Sequence, residues 1–125
     1  IPSRLVGSEM CIRDRGSILF TGATASMRGR PPFTGFASAK AGLRVLAQGM
    51  AREFGPQGVH VAHVIVDGVI DGEKIQLAMP QYIASRGEHG ALSLEALADT
   101  FWQLHTQHPS AWTHELDVRP FNEEF

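Results

Sequence analysis

From residue 16 onward, apolar and polar positions fall into two alternating periods. Ser17-Ile18-Leu19-Phe20-Thr21-Gly22 is a short apolar run closed by Thr-Gly, which predicts a buried strand over residues 17 to 22. From about Phe33 to Phe54, apolar residues recur at Phe36, Ala39, Leu43, Leu46, Ala47, Met50 and Phe54, a three-and-four spacing that places them on one helical face. Pro31-Pro32 ahead of this segment and Gly55-Pro56 behind it are the expected punctuation. Val59 to Val66 is rich in β-branched residues and almost continuously apolar, as a parallel strand covered on both faces is.

The pattern then loosens. Residues 73 to 86 have helical composition, but Pro80 interrupts them and Gly87 and Gly90 follow, which predicts short helices in a lid-like loop. Ser93 is a candidate N-cap with Glu95 in the first turn, and Leu94, Leu97, Ala98, Phe101 and Leu104 form one apolar face of a helix that Pro109 closes. Glu115-Leu116-Asp117-Val118-Arg119 alternates as a half-exposed edge strand does. The order strand, helix, strand, helix, strand implies right-handed crossovers onto one parallel sheet. The expected fold is therefore α/β, the C-terminal part of a doubly wound, Rossmann-like sheet. Such sheets bind ligands outside the carboxyl ends of their strands. Those ends are Gly22-Ala23-Thr24 and Asp67-Gly68-Val69-Ile70, beside the start of the long helix.

The first fifteen residues have neither period. Leu5 to Asp14 resembles the translation of a transposon-end sequencing adapter. Residues 1–15 are accordingly expected to be an artefactual extension that can be deleted without changing the fold, with native sequence missing upstream of Gly16. Cys11, the one cysteine, then carries no chemistry, and no disulfide or thiolate metal site is expected. Residues 16–125 are expected to form part of one domain.

Composition narrows the function classes. Of 125 residues, 43% are hydrophobic and 19% charged, an ordinary globular balance. Net charge is -2 with the basic residues scattered, so neither a nucleic acid nor an anionic membrane surface is expected as a partner. Val61 to Val66, interrupted by His63, is too short to span a bilayer. The expected compartment is the cytoplasm.

The chemistry concentrates at Phe36-Ala37-Ser38-Ala39-Lys40. With the strand before it, the bend, the helix and the Val-rich strand after it, this run resembles the Tyr-x-x-x-Lys signature of the short-chain dehydrogenase/reductase family. The resemblance spans residues 16 to 119, and the ending from Ala111 to Pro120 is similar to an atypical subgroup. In that family a tyrosine protonates or deprotonates the substrate oxygen and a lysine four residues on, facing the same way, keeps it partly ionised. The resemblance assigns Lys40 to the lysine that bonds the nicotinamide ribose, and puts Phe36 in the place of the tyrosine. The family's serine lies thirteen positions earlier, which is Ala23. Both oxygen-bearing side chains are thus substituted. The Pro-Gly-x-Val/Ile-x-Thr run beside the nicotinamide becomes Asp67-Gly68-Val69-Ile70-Asp71-Gly72, keeping Gly68 and Ile70 but neither the proline nor the threonine.

The resemblance implies NAD- or NADP-dependent oxidoreduction of a small carbonyl or alcohol by a full-length homodimer or homotetramer, with the dinucleotide fingerprint upstream. This chain alone is then expected to bind no dinucleotide usefully, to leave a strand edge and a helix face uncovered, and to be inactive. The rival is a non-catalytic nucleotide-binding or scaffold protein, because phenylalanine donates no proton. Each residue also has a plainer reading: Phe36 as core filling, Lys40 as a solvated lysine. Thr24 and Ser26 are candidate surrogates for the serine, against the alternative that hydroxyls in such a bend bond backbone. Tyr82, the one tyrosine, is a candidate surrogate acid against a packing or surface role. Among the six histidines, His105 and His108 have helical spacing but no third ligand, and His60 and His63 point to opposite faces of their strand. No metal site is expected.

Overall fold

A computed structural model describes residues 16–125. The adapter-like extension and Cys11 lie outside the described residues. Strand β1 (Gly16–Ala23) leads through a single 3-10 turn to helix α1 (Thr34–Phe54), then strand β2 (Val59–Val66). A short strand β3 (Ile70–Asp71), helices α2 (Glu73–Ala78) and α3 (Pro80–Ser85), and a short strand β4 (Leu92–Ser93) follow. Helix α4 (Leu94–His105) and strand β5 (Glu115–Val118) complete the chain. Pro80 opens α3, so the anticipated break in residues 73 to 86 is the junction between two six-residue helices.

The sheet is parallel throughout, in the order β1-β2-β5. Gly16 pairs with Val59 at one end and Ala23 with Val66 at the other, while His63 to Val66 pair with Glu115 to Val118. The central strand is β2, and every residue of it but Val59 is buried, as its continuous hydrophobicity requires. Ala62, Val64 and Val66 on one of its faces pack with Leu104 of α4, and Leu19, Leu97, Phe101, Leu116 and Val118 surround them. A second, two-stranded parallel sheet pairs Ile70 with Leu92 and Asp71 with Ser93. No spacing foretold it, since two-residue strands carry no period. Among the described residues no helix is long and apolar enough to cross a membrane.

Both helices bury only part of the faces their spacing suggested. On α1 the buried residues are Ala37 and Ala47, whereas Val45, Leu46 and Phe36 are 64%, 53% and 52% exposed. The side against the sheet is built from small residues, which allow close approach, and from Lys40 and Arg44, whose heads reach acceptors on β1 and β5. Of the spaced stripe, Leu43, Met50 and Phe54 are half-buried, while Phe36 and Leu46 are turned outward. On α4, Ser93 caps the helix by accepting from the Ala96 N–H at 3.2 Å, as expected. Leu97, Phe101 and Leu104 face the core, but Leu94 is 55% exposed and Ala98 is exposed too. The helix ends at His105, and Pro109 opens the next 3-10 turn instead of closing α4 directly.

Candidate functional site

A cavity of about 430 Å³ opens where β1 and β2 end, at the position the strand order calls for. Ala23, Thr24, Val66, Asp67 and Gly68 supply its strand-end lining, Phe33 and Phe36 an apolar wall from the start of α1, and Arg28 and Arg30 a basic contribution from the intervening loop. Glu123 and Glu124 line it from the C-terminal tail. Gly68 has φ +141, and a Cβ there would stand 2.8 Å from Pro120 Cδ, so the tail seats against a bare backbone.

Four predicted residues gather at this cavity: Ala23, Thr24, Phe36 and Gly68. Lys40 stands beside it, one helical turn beyond Phe36, its Nζ donating to the Thr21 carbonyl at 3.2 Å and lying 5.7 Å from the Phe36 ring centroid. Ser26 is buried, and its Oγ accepts the Ala23 N–H at 3.1 Å, the backbone role weighed above. Thr24 behaves differently: its hydroxyl donates to Asp67 Oδ1 at 2.5 Å. Ile70 packs beneath β4 against the core cluster. Tyr82 is 42% exposed on α3 and is not among the residues lining the cavity.

Two groups escaped the sequence patterns. Asp67 ends β2 at 5% exposure, accepting from Thr24 on one oxygen and from Arg119 Nε at 3.2 Å on the other, while Arg119 also holds Asp117. The available signal was a lone carboxylate closing an apolar run. The second group lies under the sheet. Glu115 receives Arg44 through two hydrogen bonds of 2.7 and 3.0 Å, and its Oε1 is 3.0 Å from Nδ1 of the fully buried His63. This triad joins α1, β2 and β5, and nothing in linear spacing links its members.

The Arg44 hydrogen bonds hold the Glu115 carboxyl below its usual range; burial opposes the shift, and His63 adds to it. A carboxyl with a lowered folded-state value contributes stability that is complete above its unfolded value and is lost as pH falls through the folded one. Acid unfolding followed by circular dichroism should therefore be less steep in Glu115→Gln, with a lower stability plateau near neutral pH. Identical pH profiles for the two proteins would contradict this.

The histidines are engaged separately. His60 stacks on Trp112 at 4.7 Å with its Nε2 2.7 Å from the Thr113 carbonyl, on the face of β2 opposite His63. His105 bonds Ser17 Oγ at 2.9 Å, and His108 accepts the Ser110 N–H at 3.2 Å, so the helically spaced pair turns to different neighbours.

A short chain dehydrogenase family model matches residues 2–81, a span that takes in most of the first fifteen residues. The 2-dehydro-3-deoxy-D-gluconate 5-dehydrogenase of Pseudoalteromonas atlantica is 33% identical over 76 residues, which are 61% of this chain and 30% of that protein. Among solved structures, a short-chain dehydrogenase from Rhodopseudomonas palustris is 41% identical, with a TM-score of 0.65, over 95% of this chain and 43% of its own. An NADPH-bound short chain oxidoreductase from Pseudomonas aeruginosa PAO1, described as containing an atypical catalytic center, has the same fold with a TM-score of 0.65 at 18% identity. That match covers 87% of this chain and 46% of the other. The chain thus spans less than half the length of each of these relatives.

Proposed function

This chain belongs to the short-chain dehydrogenase family, and we propose that it supplies the substrate end of an NAD- or NADP-dependent oxidoreductase for a small carbonyl or alcohol. The observation that carries the reading is the strand-end cavity, where an apolar wall from Phe36 meets hydrogen-bonding groups on Thr24 and Asp67, with the Lys40 ammonium alongside.

The residues present fit the nicotinamide end of a dinucleotide. Gly68 offers backbone without a side chain at the cavity, and Lys40 has three N–H bonds of which one is given to Thr21. Lys40 and Gly68 would hold that end, whereas Ile70 packs against the core and lies outside the cavity lining; when bound, the dinucleotide supplies the hydride acceptor or donor. No glycine-rich turn at a helix N-terminus occurs among the described residues, so the pyrophosphate end must be held by segments other than these. Assembly as a homodimer or homotetramer is supported by the outward apolar stripe of α1, where Val45 and Leu46 lie exposed.

Phe36 shapes the wall and cannot move a proton. If the site is catalytic, the complete protein should reduce NAD⁺ or NADP⁺ with an alcohol drawn from a panel that includes D-gluconate, the sugar acid closest to its curated relative's name. Lys40→Met should weaken dinucleotide binding by about 10- to 100-fold, the worth of one charge-assisted hydrogen bond. The scaffold reading predicts the opposite pattern: no turnover until Phe36→Tyr restores a phenol. Dinucleotide-binding calorimetry and absorbance at the reduced-nicotinamide band distinguish the two.

A further inference from the structure

Asp67 stands where the resemblance to the family's Pro-Gly-x-Val/Ile-x-Thr run puts proline. It is 5% exposed, and its two oxygens are divided: Oδ2 accepts Arg119 Nε at 3.2 Å, and Oδ1 accepts the Thr24 hydroxyl at 2.5 Å. Burying a carboxylate is costly unless it is paired and hydrogen-bonded, and Arg119 and Thr24 meet that demand. Both Thr24 and Asp67 nevertheless line the cavity that Phe36 walls. A threonine hydroxyl has one hydrogen and two lone pairs. With that hydrogen given to Asp67, Thr24 can meet a bound molecule only as an acceptor, and the complementary donor is an alcohol O–H.

We propose that Thr24, backed by Asp67, takes the proton from the substrate hydroxyl, a task open to neither Phe36 nor Ala23. The inference rests on the oxidoreductase reading. In the alcohol-oxidising direction the substrate O–H bond breaks and its proton forms a new bond to Thr24 Oγ1, while the original Thr24 proton passes to Asp67 Oδ1. The C–O bond gains double-bond character as the hydrogen on carbon leaves with its electron pair, as hydride, for an oxidised nicotinamide dinucleotide. The reduction direction returns the proton by the same two transfers. Thr24 is the catalytic residue; Asp67 acts through it as a positioning residue and proton sink. The charged groups around the pair are Arg119 with its partner Asp117, Arg28 and Arg30 on the loop, and Glu123 and Glu124 on the tail.

The test uses the complete protein with NADP⁺ and D-gluconate as the probe alcohol. Asp67→Asn keeps an acceptor for Thr24 but holds no proton, so kcat should fall by about 10² to 10⁴-fold with KM little changed, and the pH profile of kcat should change shape. Thr24→Val should match it, and Thr24→Ser should retain most of the rate. If Asp67 merely tied β2 to Arg119, Asp67→Asn would lower the melting temperature and leave the shape of the pH profile unmoved, and that result overturns the proposal. A wild-type protein that binds NAD⁺ or NADP⁺ but reduces neither with any alcohol of the panel would refute the oxidoreductase reading by itself. The Thr24 contact is then judged by calorimetry: an unchanged affinity for D-gluconate in Thr24→Val overturns it, whereas about tenfold weakening supports it.

Discussion

Gly22→Ala is expected to destabilise the fold by roughly 3 kcal/mol, at the severe end of what overpacking costs. A Cβ at this position would lie 2.1 Å from His63 Nε2, 2.8 Å from its Cε1 and 2.9 Å from Ser26 Oγ. None of those atoms can retreat cheaply. The His63 ring is fully buried and fixed through Nδ1 to Glu115, which Arg44 holds in turn, and Ser26 Oγ accepts the Ala23 N–H. Gly22 and His63 sit on adjacent strands near the paired ends of β1 and β2, so relief would require shifting the register that shapes the site. Equilibrium denaturation should show the loss, and a His63→Ala background should remove most of it, because the clashing ring is gone. A coupling of about 2 kcal/mol between the two changes is the expected signature. A Gly22→Ala protein within about 0.5 kcal/mol of wild type would show that the ring does not occupy this space.

Leu104→Ala should cost about 2 to 5 kcal/mol, the range for truncating a core leucine. Leu104 is 2% exposed and is the buried residue of α4, inserted among Ala62, Val64 and Val66. Its removal leaves a void under the helix that the half-buried Leu97 and Phe101 fill only in part. The internal control is Leu94→Ala, on the same helix but 55% exposed, where a change within about 0.5 kcal/mol is expected. Comparable losses at both sites, measured as denaturant midpoints, would mean that α4 is held by its whole stripe and not by this one side chain.

The contrast between Leu94 and Leu104 shows how far periodicity reaches. Spacing identified α4 and its cap, and it set both leucines on one face; only the position of β2 determined which of them is covered. The same holds on α1. Its limits were legible to within a residue, because proline before and glycine-proline after leave little freedom. Its orientation was legible only in part: of the spaced stripe, Ala47 is buried and Leu43, Met50 and Phe54 are half-buried, while Phe36, Ala39 and Leu46 face outward. Close approach favours Ala37 and Ala47, and the long stems of Lys40 and Arg44 can run along the contact to reach acceptors on β1 and β5.

The site divides in the same way. Phe36, Lys40, Ala23 and Gly68 were readable as positions in a motif, since their separations along the chain are fixed by one helix turn and by strand ends. That Thr24 and Ser26 part company, one bonding Asp67 and the other the backbone, depends on the turn between β1 and α1. The order of β1, α1, β2, α4 and β5, the parallel main sheet and the location of the cavity were determined by the sequence alone, through periods that each segment carries locally, whereas the two-residue strands β3 and β4 were not. The Asp67–Thr24–Arg119 and His63–Glu115–Arg44 groups were decided only by tertiary structure. Their hydrogen-bonded pairs lie 43 to 71 residues apart, and bonds across such separations follow from which strand ends and helix faces are brought together, not from any spacing a single segment can display.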